Sequence, residues 1–128
     1  VGTTTSKAVV FTEDGEPLAS GRADTPWTVT ASGAELDATA LLTAAKSAVA
    51  DALAECPAGP IGGLGVASLG ESGVLLDQQG EPVAPVIAWH DTRDHAELEH
   101  LRHAITAQDF AAVTGLPSAT TRYGVKAR

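Results

Sequence analysis

Residues 64–93 read LGVASLGESGVLLDQQGEPVAPVIAWHDTR, and the punctuation of this stretch decides the fold. Leu64 to Ser68 is a short apolar run that follows a Pro- and Gly-rich break at 57–63, which predicts a buried strand. A glycine-flanked turn, Gly70 to Gly73, comes next. Two further strands, Val74 to Asp77 and Val83 to Trp89, flank the Gln78, Gln79, Gly80 turn and predict a hairpin. From Asp91 to Ala104 polar residues crowd one side while Leu98, Leu101 and Ile105 mark an apolar face, so a helix follows.

Upstream, Ser32 and Glu35 have the spacing of a capping box. Apolar positions Leu41, Leu42, Ala45, Val49, Ala52, Leu53 and Cys56 then recur at helical intervals until Pro57. A helix ahead of a buried strand implies a crossover to a parallel neighbour. Earlier still, Lys7 to Phe11 predicts a strand, Asp14-Gly15 a tight turn, and about Pro17 to Asp24 the return strand. Residues 25–34, with Pro26, Trp27 and Gly33, read as a loop. Downstream, Thr106 and Asp109 repeat the capping-box spacing and open a short helix that Gly115 ends, while Leu116 to Arg128 carries no decisive pattern. The expected fold class is α/β: a mixed sheet with antiparallel hairpins, a crossover helix and further helices packed against it.

The 128 residues suffice for one domain with a core, and the chain opens on Val1 at what reads as a strand end, so a piece of a larger protein is expected. A composition 44% hydrophobic and 19% charged is that of a globular protein. The formal charge of -8, without clustered basic residues, opposes binding to nucleic acid or anionic membrane. Cys56 is the single cysteine, so neither an internal disulfide nor a thiol pair for zinc can form, and a cytoplasmic setting is expected.

Three constellations carry chemistry. Gly2, Thr3, Thr4, Thr5, Ser6 and Lys7 join a glycine to four hydroxyl residues and a cation, a set suited to phosphate oxygens. It is no P-loop, since the Gly-Lys-Ser/Thr ending is missing, and a plain strand end is the alternative. Gly70 and Glu71 follow the predicted buried strand, where ligands of α/β sheets bind, and a carboxylate there can accept hydrogen bonds from a polyol; a solvated loop glutamate is the alternative. Trp89, Asp91 and Arg93 offer an indole for the C–H face of a sugar beside a carboxylate and a guanidinium; alternatively Trp89 is core and Asp91 caps a helix. His95, Glu99 and His103 share a helix face but read as solvated, and no metal site is expected.

Taken in order, these pieces resemble the N-terminal domain of the FGGY carbohydrate kinases over essentially the whole chain. The resemblance runs through Gly2 to Thr4, the hairpin, Gly70 and Glu71, Leu75 to Asp77, Pro85 to Arg93, and Thr114 to Leu116, and Val66 to Arg93 is its specific part. It implies a ribonuclease-H-like fold of the actin/hexokinase/sugar kinase type, here incomplete, and ATP-dependent phosphorylation of a sugar or polyol, with ATP and Mg2+ bound between two domains. It implies that Gly2, Thr3, Thr4, Thr5, Ser6 and Lys7 approach the ATP phosphates, and that Gly70, Glu71, Trp89, Asp91 and Arg93 line or support the substrate pocket. A homodimer is compatible with it.

The departures matter as well. The family's Mg-linked aspartate lies two residues before the loop glycine and its catalytic base beyond the position of Arg128, so residues 1–128 alone are expected to be inactive and to hold no catalytic residue. Gly70 stands where glycerol kinases carry arginine, which argues against glycerol. An ATPase or activator of the same superfold and a non-catalytic binding domain are the other readings. Activators hold an iron–sulfur cluster through cysteines, which Cys56 alone cannot do.

Overall fold

The computed structural model describes residues 1–117. The tail from 118 to 128, part of the stretch without a decisive pattern, lies outside them. The chain divides into two compact units, Val1–Pro26 with Asp37–Leu69, and Trp27–Leu36 with the stretch from Gly70 onward.

The first unit is built on a hairpin of β1 (Thr5–Phe11) and β2 (Pro17–Asp24), paired antiparallel from Thr5↔Asp24 to Val10↔Ala19, with an irregularity before Phe11↔Pro17. The turn closes as the Asp-Gly pair predicts. Gly15, at φ +88°, donates to the Thr12 carbonyl at 3.0 Å, and the Thr12 Oγ1 accepts from Glu16 N at 3.1 Å. Helix α1 (Ala38–Glu55) packs on this hairpin through its small residues, Ala48 and Ala52, both fully buried. The packing is close because β2 offers Gly21: a Cβ there would stand 2.1 Å from the Ala48 carbonyl oxygen. Two alanines meeting a glycine bring helix and strand backbones together.

The helix ends at Cys56, before Pro57, as predicted, but it does not begin at Ser32. Asp37 is the N-cap, its Oδ1 accepting from Ala40 N at 2.7 Å. The Ser32–Glu35 spacing satisfies a capping-box pattern without forming one, because Glu35 belongs to a strand.

The predicted buried strand at Leu64 to Ser68 is neither buried nor a regular strand. Leu64 and Val66 are 82% and 77% exposed. Its parallel character survives as one step: Val1 N donates to Ala67 O at 2.7 Å, and Leu69 N donates to Val1 O at 3.1 Å, the alternation of a parallel ladder. Burial of a parallel strand needs neighbours on both edges and both faces, which an apolar run cannot supply itself.

In the second unit three short strands, β3 (Thr28–Val29), β4 (Ala34–Leu36) and β5 (Val86–Ile87), form an antiparallel ribbon in that order. Pairings Val29↔Ala34 and Leu36↔Val86 set its register. The 25–34 segment is therefore not a plain loop: β3 and the start of β4 lie in it, joined by a turn in which Thr30 N donates to Gly33 O at 2.9 Å. Ala34, Leu36, Val86 and Ala88 are buried in this unit. The turn predicted at Gln78–Gly80 is present, with Asp77 Oδ1 accepting from the N–H groups of Gln79 and Glu81 at 2.9 Å each and Gly80 at φ +85°. The hairpin it closes is reduced to one bridge, Leu76↔Pro82, and β5 pairs with β4 instead.

Helix α2 (His95–Ala104) starts later than expected, with Asp94 rather than Asp91 at its cap, and buries Leu98. Helix α3 (Ala107–Thr114) is as predicted: Thr106 Oγ1 accepts from Asp109 N at 3.1 Å, and Gly115 ends it in the left-handed conformation. The single mixed sheet expected from the pattern is thus replaced, among the described residues, by two small antiparallel sheets. No helix among them is long and apolar enough to cross a membrane.

Candidate functional site

Gly2, Thr3 and Thr4 form the turn that leads into β1. Gly2 N donates to Thr5 O at 3.1 Å, and a Cβ at Gly2 would lie 2.9 Å from that oxygen, so glycine lets the turn close without displacing a carbonyl. Buried Thr25 locks the turn from behind: its Oγ1 donates to Gly2 O at 2.8 Å and its N–H to Thr4 O at 2.9 Å. Gly2 therefore shapes the loop, while Thr3 and Thr4 are its exposed hydroxyl residues. Strand alternation then separates the rest. Thr5 and Lys7 share one face of β1 with Lys7 exposed, whereas Ser6 is 1% exposed, so its hydroxyl belongs to the core.

In the second unit the structure brings Asp91 and Arg93 together and adds partners from the β3–β4 hairpin. Asp91 is completely buried. Its Oδ1 accepts from Arg93 N at 2.9 Å and Arg93 Nε at 3.0 Å, and its Oδ2 accepts from Arg93 NH2 at 2.9 Å, a two-pronged carboxylate–guanidinium pair. The remaining prong of Arg93, NH1, donates to Glu35 Oε2 at 2.7 Å. Thr30 Oγ1 stands 3.4 Å from both Asp91 Oδ2 and Arg93 NH2.

The side-chain hydrogen bonds from Arg93 hold the Asp91 carboxyl well below the usual carboxylate range, against the upward pull of burial. Hydrogen bonds to Asp91 and then Glu35 push the Arg93 guanidinium up correspondingly, so both groups stay charged across the physiological range. Asp91 is no helix cap. Its backbone N–H donates instead to Ala88 O at 3.0 Å, closing a β-turn whose two central residues are Trp89 and His90. Trp89 is 42% exposed and meets His90 edge-on at a centroid distance of 5.3 Å, so the indole is not core.

Glu71 belongs to a different turn. At φ +61° it is, among the described residues, the one non-glycine in the left-handed region, although Gly70 beside it could take that conformation with less strain. Holding a carboxylate residue so costs on the order of 1–2 kcal/mol, and such strain concentrates at functional sites. Gly70 is exposed. On α2, His95, Glu99 and His103 are exposed and Glu99 pairs with Arg102 at 2.7 Å. Among the described residues no three His, Cys, Asp or Glu side chains gather to hold a metal ion.

Sequence reading missed Thr25, Thr30, Gly33 and Glu35. A period-two alternation over Ala34, Glu35 and Leu36 was available as a signal for Glu35, but it is only three residues long and coincides with the capping-box spacing.

The model of the "FGGY family of carbohydrate kinases, N-terminal domain" matches residues 1–128. A glycerol kinase of Beutenbergia cavernae is 33% identical over 129 aligned residues, covering 98% of this chain and 26% of that protein. Glycerol kinase 2 of Streptomyces coelicolor is 33% identical over 131, covering 99% of this chain and 26% of its own. A solved xylulose kinase from Rhodospirillum rubrum superposes with a TM-score of 0.90 at 24% identity, covering 98% of this chain and 26% of the other, and that likeness shows the fold. The chain spans about a quarter of the length of the curated relatives it matches.

Proposed function

The chain belongs to the FGGY family of carbohydrate kinases, and from that premise we propose that the whole protein transfers the γ-phosphoryl group of MgATP to a hydroxyl of a sugar or polyol in the cytoplasm. The observation that carries the substrate half is the Trp89 turn: a half-exposed indole held between the fully buried Ala88 and Asp91. A rigid aromatic plate beside hydrogen-bonding groups suits a molecule with one C–H face and several hydroxyls. Trp89 packs on the substrate. Glu71 accepts from an alcohol, Gly70 leaves room beside it, and Asp91 and Arg93 support the wall from behind.

Thr3 and Thr4 supply donors for the phosphates on a turn that Gly2 and Thr25 keep shut, and Lys7 adds positive charge from the adjoining strand β1. Mg2+, when bound with ATP, would supply charge that offsets the phosphates, while Thr3, Thr4 and Lys7 would hold the phosphate oxygens from this chain's side. The carboxylate that deprotonates the attacking hydroxyl lies outside residues 1–128, so this chain contributes binding and orientation rather than proton transfer. Glycerol is the named substrate class of the curated relatives, yet Gly70 lacks the arginine that glycerol kinases place there, which favours a different polyol.

A coupled ADP-release assay on the whole protein, with glycerol, xylulose and gluconate as separate additions, tests the proposal. Sugar-dependent release is expected, and Trp89→Ala should raise the KM for the sugar at least tenfold while leaving the KM for ATP unchanged. ADP release that no sugar stimulates would make the protein a switch-type ATPase, and no release at all a binding domain; either overturns the kinase reading.

A further inference from the structure

Glu35 has no part in the proposed phosphoryl transfer, yet the hydrogen bonds around Asp91 form a closed circuit that begins and ends on β4. Ala34 O accepts from Ala88 N at 2.9 Å; Ala88 O accepts from Asp91 N at 3.0 Å; the Asp91 carboxylate binds Arg93; and Arg93 NH1 returns to Glu35 Oε2 at 2.7 Å. Trp89 and His90 are the only residues of the turn between the two anchors, Ala88 and Asp91, and both anchors are fully buried. Gly33 completes the seat. A Cβ there would lie 2.6, 2.8 and 2.9 Å from the Cα, Cβ and Cγ of Asp91, so the Asp91 side chain occupies the space that any other residue at position 33 would fill. Thr92 fastens the same end, its N–H donating to Ser32 O at 3.2 Å.

We infer that Glu35 is a positioning residue for the aromatic wall of the substrate site: by holding the third prong of Arg93 it fixes Asp91 on Gly33, and so fixes where the Trp89 indole stands. A pair made only by Asp91 and Arg93, two residues apart in one loop, could swing together without breaking. The Ala88–Ala34 and Thr92–Ser32 bonds tie the backbone of that loop across, and the bond to Glu35 is the short one that ties the guanidinium itself to β4. Because Asp91 has no exposed surface and both its oxygens are engaged by Arg93, Asp91 acts on the substrate through Trp89 and not by contact. This rests on the polyol-kinase reading for its consequence in catalysis, and on the hydrogen-bond circuit alone for its consequence in structure.

The test is made on the whole protein carrying Trp27→Phe, so that Trp89 is the tryptophan of this chain that is observed; any tryptophan elsewhere is subtracted with a Trp89→Phe companion. In Glu35→Ala the acrylamide quenching constant of Trp89 should at least double, and the KM for the sugar should rise about tenfold with kcat and the KM for ATP within twofold of the parent. Glu35→Gln keeps an acceptor oxygen for Arg93 and should recover most of both changes. Gly33→Ala, which displaces Asp91 from the opposite side, should reproduce the quenching change. Quenching and sugar KM equal to the parent in Glu35→Ala would overturn the inference. If Glu35→Ala does not fold, Glu35→Leu, which keeps the bulk and lacks the acceptor, decides: quenching above the parent supports the role, and equality overturns it. A protein that releases no ADP with any sugar sinks the kinase reading, while Trp89 quenching still decides the role of Glu35.

Discussion

Replacing Gly21 by alanine adds one methyl group where strand and helix touch, and the structure says how badly it fits. The new Cβ would stand 2.1 Å from Ala48 O, 2.6 Å from Ala52 N and 2.7 Å from the Asp51 Cβ. The first two atoms are the acceptor and donor of one turn of α1, so the obstacle is helix backbone and no side-chain rotation relieves it. Ordinary contact begins near 3.4 Å, and recovering it requires α1 to retreat from β2 by roughly 1 Å. A gap of that size forfeits about a quarter to a half of the dispersion energy of the contacts it opens. Those contacts include the buried Ala48 and Ala52. Overpacking a tight site costs about 1–3 kcal/mol, and with rigid backbone as the obstacle a loss of about 3 kcal/mol is expected.

Against a total stability of about 5–15 kcal/mol for a small domain, that is a large shift in a denaturation midpoint. Urea denaturation followed by far-ultraviolet circular dichroism measures it, with Gly59→Ala as the control because a Cβ there meets nothing within 4 Å. A Gly21→Ala variant within about 0.5 kcal/mol of the parent would refute the close helix–strand packing.

The same titrations check two further expectations. Asp37→Ala should destabilise by about 1 kcal/mol through loss of the cap on α1, whereas Ser32→Ala should leave the helical signal unchanged; the reverse result would put the helix start at Ser32. The folded-state pKa of Asp91 is depressed, so its stabilising contribution is complete above the unfolded value near 3.9 and fades as the pH falls towards the lower folded value. Denaturation midpoints taken from about pH 5 downward should therefore decline less steeply in Asp91→Asn than in the parent, and equal slopes would contradict the pairing with Arg93.

Local signals in the chain are reliable where one turn or one helix settles the matter internally. The Asp14-Gly15 turn, the return strand Pro17–Asp24, the end of α1 before Pro57 and the Thr106 cap with its Gly115 terminus all formed as the residues indicate. The turn, the helix end and the cap are each closed by bonds between residues a few positions apart, and the return strand zips outward from that turn, from Val10↔Ala19 to Thr5↔Asp24. The Ser32–Glu35 spacing failed for a related reason: Asp37 offered the helix a better start, and Glu35 had a distant partner in Arg93.

The sequence by itself determined the family, the first hairpin, the three helices of the described residues and the residue kinds at the sites, because hydroxyl, indole and carboxylate chemistry is carried in residue identity and order. Only the tertiary structure decided which of those residues face outward. It put Ser6 and Asp91 in the core and left Trp89 half-exposed, it tied Arg93 to Glu35, and it gave Glu71 a left-handed backbone. Burial and long-range hydrogen bonds depend on which segments meet, and a strand of two or three residues has too short a pattern to announce its partner.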